Sequence, residues 1–142
     1  MDNSLHLIKL SVGSENVDTL AAWQASATAK GPDGLPRHVT RMWPKREAEL
    51  LDGGSIYWVI KGLVLCRQRI IRLDEVEKAD GNRYCGIVLD PILHRTETAH
   101  KRPFQGWRYL NGSDAPRDLR ADRANEDLPP RLMAALAEIG VR

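Results

Sequence analysis

The order of elements predicts an α+β fold, with a bent or closed, mostly antiparallel β-sheet and flanking helices. Three observations carry this reading. Apolar residues alternate with period two near the start, two stretches with helical spacing interrupt the early strands, and at least four strands then follow before a closing helix. At 142 residues, one domain is expected over 1–142, large enough to bury ~70% of its unfolded surface. Its parts are an α+β core over 1–110, a polar loop over 111–127 and a C-terminal helix over 128–140.

The elements follow in order. "LHLIKLSV" (Leu5 to Val12) alternates and predicts a first strand. Ser14 offers an N-cap, and Val17, Leu20, Trp23 and Ala27 recur at steps of three and four, one apolar stripe on a helix of about four turns. "KGPDGLP" is a loop, and "RHVTRMW" (Arg37 to Trp43) returns to strand character. Pro44 suits the first position of a short helix, "PKREAELL", ended by Gly53 and Gly54. "SIYWVIK" (Ser55 to Lys61) is β-branched and aromatic on both faces, the mark of a central strand. Gly62 turns the chain into "LVLCRQRIIRL", and Asp80-Gly81 signals the next turn. "RYCGIVLD", "ILHRTETA" and "FQGWRYL" are further strands, the first two separated by Pro91. "LPPRLMAALAEIG" closes as a helix, capped by Asp127 and stopped by Gly140.

Composition narrows the function classes. No apolar run approaches a membrane span, and "MDNSLHLIKL" lacks the pattern of a signal peptide, so a cytoplasmic, non-membrane protein is expected. Cys66 and Cys85 are far apart and lie in apolar strand runs, which predicts buried, reduced, unreactive thiols. No metal-ligand spacing, phosphate loop or nucleophile elbow is present, so no metal or cofactor is expected and no catalytic residue is assigned. Net charge is +2, but the stretch from Arg37 to Arg72 sets eight cations against three acids, a local +5. Such a bias suits an anionic partner.

Two stretches concentrate the candidate site. In "CRQRIIR", Arg67 and Arg69 fall on one strand face, where two guanidiniums need an anion, a carboxylate or a ring between them. "KRPFQGWRYL" sets Phe104, Trp107 and Tyr109 beside Lys101, Arg102 and Arg108, although the whole chain has only eight aromatic residues. Alternation puts Phe104 on the face opposite Trp107 and Tyr109. These rings are either core plugs or a stacking platform beside positive charge.

Together, "HLIKL", "HVTRMWP", "ELLDGGSIYWVIKG", "CGIVLDP" and "RPFQGWRYL" resemble the signature blocks of a bacterial domain-of-unknown-function family, family 1489. That resemblance spans His6 to Leu110 and implies no particular activity. The middle third, a short helix ending at "DGG", a strand and a glycine turn into "LVLCRQRII", is also similar in element order to the PUA-like superfamily with its ASCH and EVE branches. This second resemblance implies a small β-barrel that binds RNA or modified bases. "GGSIYW" stands where ASCH domains carry Gly-x-Lys, so their amidohydrolase chemistry does not transfer.

The expected function is a module that binds RNA or a nucleotide. Lys61, Arg67 and Arg69, with Arg102 and Arg108, would meet phosphates, while Trp107 and either Tyr57 or Trp58 would stack on a base. The alternatives are a small hydrolase acting on a nucleoside or amide, with Lys61 and carboxylates in a pocket, and a protein–protein adaptor using the aromatic patch.

Overall fold

The computed structural model describes residues 4–119. Strands β1 (Leu5–Leu10), β2 (Arg37–Thr40), β3 (Ser55–Ile60), β4 (Leu63–Glu77), β5 (Arg83–Leu89), β6 (His94–His100) and β7 (Trp107–Asn111) form one sheet. Two helices accompany it, α1 (Val17–Gln24) and α2 (Glu47–Leu51). The strand order is β2-β5-β4-β3-β1-β7, with β6 also on β4. All pairings are antiparallel except β1 with β3, whose connection carries α1, β2 and α2.

The 15-residue β4 organises the sheet. Its first half pairs with β3 on one edge and β6 on the other, and its second half pairs with β5. At the midpoint Ile70 N–H donates to Gly54 O while Arg69 O accepts from Asp90 N–H. Adjacent residues of a strand point their backbone groups to opposite edges, so β5 and β6 share one edge of β4. They are one return strand broken at Pro91, where a ladder donor is missing. Lys61 and Gly62, both at positive φ (52° and 84°), make the tight turn from β3 into β4.

A flat sheet would hold β2 and β7, five strand spacings apart, at ~24 Å. Instead Trp107 Nε1–H donates to the Met42 carbonyl at 2.9 Å, and Arg46 N–H donates to Tyr109 Oη at 3.1 Å. The sheet therefore curls until the segment after β2 touches β7. No ladder joins these edges, so the expected PUA-like barrel is corrected to an open, mixed, strongly curled sheet. β2 is only four residues long, and side-chain hydrogen bonds stand where further strand pairing would be needed for closure.

The inner face of the curl carries Leu5, Leu7, Ile56, Trp58, Ile87 and Trp107, and both helices pack there through Val17, Leu20 and Leu50. The outer face carries a smaller cluster of Ile8, Tyr57, Val59, Val64 and Leu110, partly covered by Phe104 and Ala115. This accounts for β3, whose six residues are all buried, as its two-sided apolar pattern predicts. Phe104 and Trp107 lie on opposite faces, but not by alternation: β7 begins at Trp107, and Phe104 lies in the irregular chain before it, with Gly106 at positive φ (69°) between.

The first helix is shorter than its stripe suggests. Asn16, not Ser14, is the N-cap: its Oδ1 accepts from Thr19 N–H at 2.8 Å, and Thr19 Oγ1 accepts from Asn16 N–H at 2.8 Å. Ser14 is engaged with the Ser11 hydroxyl instead. The helix ends after two turns, its buried face is Val17, Leu20 and Gln24, and Trp23 stands 55% exposed. α2 begins at Glu47 rather than at Pro44. Gly54 follows it, where a Cβ would lie 2.3 Å from both Leu5 O and Leu50 O, so only glycine lets the helix end meet β1.

Cys66 and Cys85 are buried and free, and burial pushes both thiols up to about 12. Among the described residues, no helix is long and apolar enough to cross a membrane. Of the polar segment 111–127, Asn111 ends β7, Gly112–Asp114 form a 3₁₀ turn, and Asp118 bridges to Thr96. Residues 120–127 of that segment and the helix expected over 128–140 lie outside the described residues.

Candidate ligand-binding site

The residues nominated from sequence do not assemble into one site. Arg108, Ile8, Tyr57, Arg67 and His94 form a single row across the outer face. Three strand spacings, ~14 Å, separate the two arginines. Arg67 grips Asp118 with two hydrogen bonds of 2.7 Å and donates a third to Ser55 Oγ at 2.9 Å. The guanidinium in return holds the Asp118 carboxyl below the usual carboxylate range. The anion that the Arg67–Arg69 pair demands is thus supplied, at Arg67, by the chain itself. Arg69 is exposed on the same face. Lys61, in the β3–β4 turn, pairs with Glu15. Arg108 lies over the Phe104 ring at 5.0 Å, and Arg102 is exposed in the loop before β7.

Tyr57 is 3% exposed and Trp107 8%. Neither ring offers the open face that a stacking platform needs. Trp107 and Tyr109 meet edge to face at 4.9 Å, and their polar tips hold the Met42–Arg46 backbone. The aromatic density of "KRPFQGWRYL" is a buttress for the segment after β2.

The sheet's other polar concentration is on the inner face. A cavity of about 460 Å³ opens at the carboxyl end of β1, bounded by the Ser11–Ser14 loop, α1, the start of β2 and Trp58. Besides Arg37 the lining holds Lys9, His38 and Gln24, and a fourth polar side chain, Gln68, stands behind Trp58. Lys9 shares the face of Leu7 and is paired in register with Trp58 on one side and Trp107 on the other. It is half-buried, burial lowers its pKa, and among the described residues it has no hydrogen-bonding or ionic partner. His38 projects to the same face, opposite Ile87, and meets Trp58 edge to face at 5.8 Å. Its Nε2 is buried without a hydrogen-bond partner. Burial first, and the Lys9 charge second, push the imidazole down to about 4, so it is neutral at pH 7.

The third and fourth are amides. Gln68 is fully buried and fully satisfied. Its Oε1 accepts from Gln24 Nε2–H at 2.9 Å and from Trp58 Nε1–H at 3.0 Å, and its Nε2 donates to Gln24 Oε1 at 2.6 Å and Asp90 O at 2.9 Å. This network fixes the plane of Trp58. Gln24, which lines the cavity, keeps one amide N–H and one carbonyl lone pair uncommitted among the described residues. No carboxylate lines the cavity, and no group of His, Cys, Asp and Glu among the described residues could hold a metal.

Sequence reasoning passed over these four residues. The available signal was register: Lys9, Gln24 and Gln68 occupy positions that the apolar pattern of their own element assigns to the core. A polar residue there is either satisfied by a neighbour or waits on something absent from the chain.

No curated protein and no solved structure matches the chain. The PUA-like resemblance therefore gains no support from relatives, just as it gains none from the open sheet. One family model does match, over residues 7–142. It is described as a protein of unknown function, and on that span the chain belongs to this family, DUF1489.

Proposed function

We propose that the protein is a nucleotide-binding module that takes its ligand in the inner-face cavity, the nucleotide arriving free or as part of a single-stranded RNA. The observation that carries this reading is the pairing of an immobilised indole with an uncommitted amide edge. Trp58 is as buried as Tyr57 (4% exposed) but lines the cavity, so it offers a base a fixed apolar wall rather than an open stacking face, and Gln24 presents one donor and one acceptor beside it. A planar base with donor and acceptor groups on its edge fits both features. The volume lies within the ~300–1,000 Å³ typical of small-ligand sites. Lys9, with no carboxylate along the cavity wall, gives the site a positive character.

The cavity favours binding over acid–base chemistry. An imidazole held at about 4 is a poor base at neutral pH, where a catalytic base works best with a pKa near the operating pH. The hydrolase alternative also called for carboxylates in the pocket, and none lines this one. Calorimetric titration of the purified protein with nucleosides, their 5′-monophosphates and short single-stranded RNAs tests the reading. Saturable one-to-one binding of at least one nucleotide, weakened by Trp58→Phe, is expected. Failure of every probe to bind up to millimolar concentration overturns it.

A further inference from the structure

The nucleotide reading leaves two groups of the cavity without work, the Lys9 ammonium and the His38 Nε2. We infer that Lys9 and His38 form one anion site, which holds the ligand's phosphate and draws a proton onto His38 as it binds. This deepens the nucleotide reading and rests on it for the identity of the ligand.

Both groups face the same cavity from opposite walls, Lys9 on β1 and His38 on β2. The lining holds two cations, Lys9 and Arg37, and no carboxylate. From β3 the imidazole faces Trp58, from β5 Ile87, and from α1 the cavity receives Thr19, Leu20, Trp23 and Gln24. Among the described residues, the Lys9 charge on β1 acts on it and repels a proton. Arg37, the preceding residue of β2, also lines the cavity, while its stem crosses Gly86.

A buried atom without a partner and an ammonium without an anion are each unfavourable alone. An anion between them repairs both. It pairs with Lys9, accepts a hydrogen bond from His38 Nε2–H, and sets an attraction against the burial, and the smaller Lys9 repulsion, that keep the second imidazole nitrogen unprotonated. The proton comes from solvent and no covalent bond changes. Such a site selects a phosphorylated ligand over its neutral counterpart, and binds it more tightly as pH falls.

The test is the titration of the His38 imidazole by NMR between about pH 8 and 3. Parent protein is compared in inorganic phosphate and in chloride of equal ionic strength, with the His38→Phe spectrum to assign the signal. Phosphate should raise the midpoint by about one pH unit or more, the scale of one close opposite charge. Lys9→Met should abolish the rise. Identical midpoints for the parent in the two salts overturn the anion site, whatever the folding of the variant. The nucleotide reading fails separately. If nucleosides bind as tightly as 5′-monophosphates and the midpoint stays put, the base pocket stands and the anion site falls. If phosphate moves the midpoint but no nucleotide binds, the anion site stands and the nucleotide reading falls.

Discussion

The two faces of the curled sheet handle their polar side chains in opposite ways. On the outer face much of the charge is answered within the chain: Arg67 is tied to Asp118 and Ser55, Arg108 lies over Phe104, and Arg69 stands exposed. On the inner face Lys9 and His38 Nε2 have no partner among the described residues, although they sit in a more buried setting where a partner matters more. Density of positive charge is therefore a poor guide to a site. What distinguishes a site is polar potential that the fold has left unspent.

The largest effect expected from breaking this contrast is on the inner face. Trp107→Ala should cost ~3–5 kcal/mol of stability, since it removes a buried indole and the hydrogen bond that holds the segment after β2. Chemical denaturation measures it, and a loss below about 1 kcal/mol would return Trp107 to the surface role that its sequence context suggested.

The next effect belongs to His38. Its folded pKa of about 4 lies below the ordinary 6.5, so between these values the unfolded chain binds a proton that the native protein refuses. Stability must fall as pH drops through that window. From about pH 8 to 5 the loss is ~2 kcal/mol, and His38→Phe should remove it. The carboxyls whose pKa values are depressed, Asp33, Glu49, Asp80 and Asp118, stabilise above their ordinary range near 4 and lose their effect only below it. Denaturation curves of parent and variant that shift by the same amount over this pH range would contradict a buried neutral His38.

The smallest effect is on the outer face. Arg67→Ala should cost ~1 kcal/mol, because the ion pair is partly exposed and much of its energy is screened. The exposed Arg69 should cost still less on removal. A loss of several kcal/mol for either would make the outer row a structural core rather than a surface.

Much of the fold was legible because it rests on local rules. The two-sided burial of β3 follows from "SIYWVI", the Lys61-Gly62 turn from its glycine, and the burial of both thiols from their apolar strands. Trp23 misled because it extends the stripe of Val17 and Leu20 in sequence, whereas the helix stops at Gln24 and buries that residue instead. The candidate site was less legible for a non-local reason. Whether Arg67 is free depends on Asp118, 51 positions away, and whether Gln68 is satisfied depends on Gln24, 44 positions away. Single-residue chemistry nominates cations and rings. Only the register of distant strands tells which of them are already occupied.

The two faces separate in one binding measurement. A nucleoside 5′-monophosphate that binds the parent is titrated, at neutral pH and fixed salt, into Lys9→Met and into the double variant Arg67→Ala, Arg69→Ala. Loss of at least tenfold in affinity for Lys9→Met, with the double variant within about twofold of the parent, is the expected result; ten times in affinity is ~1.4 kcal/mol, the order of one charge-assisted contact. The reverse pattern, with Lys9→Met binding normally and the arginine variant failing, would contradict an inner-face site and place the ligand on the outer row.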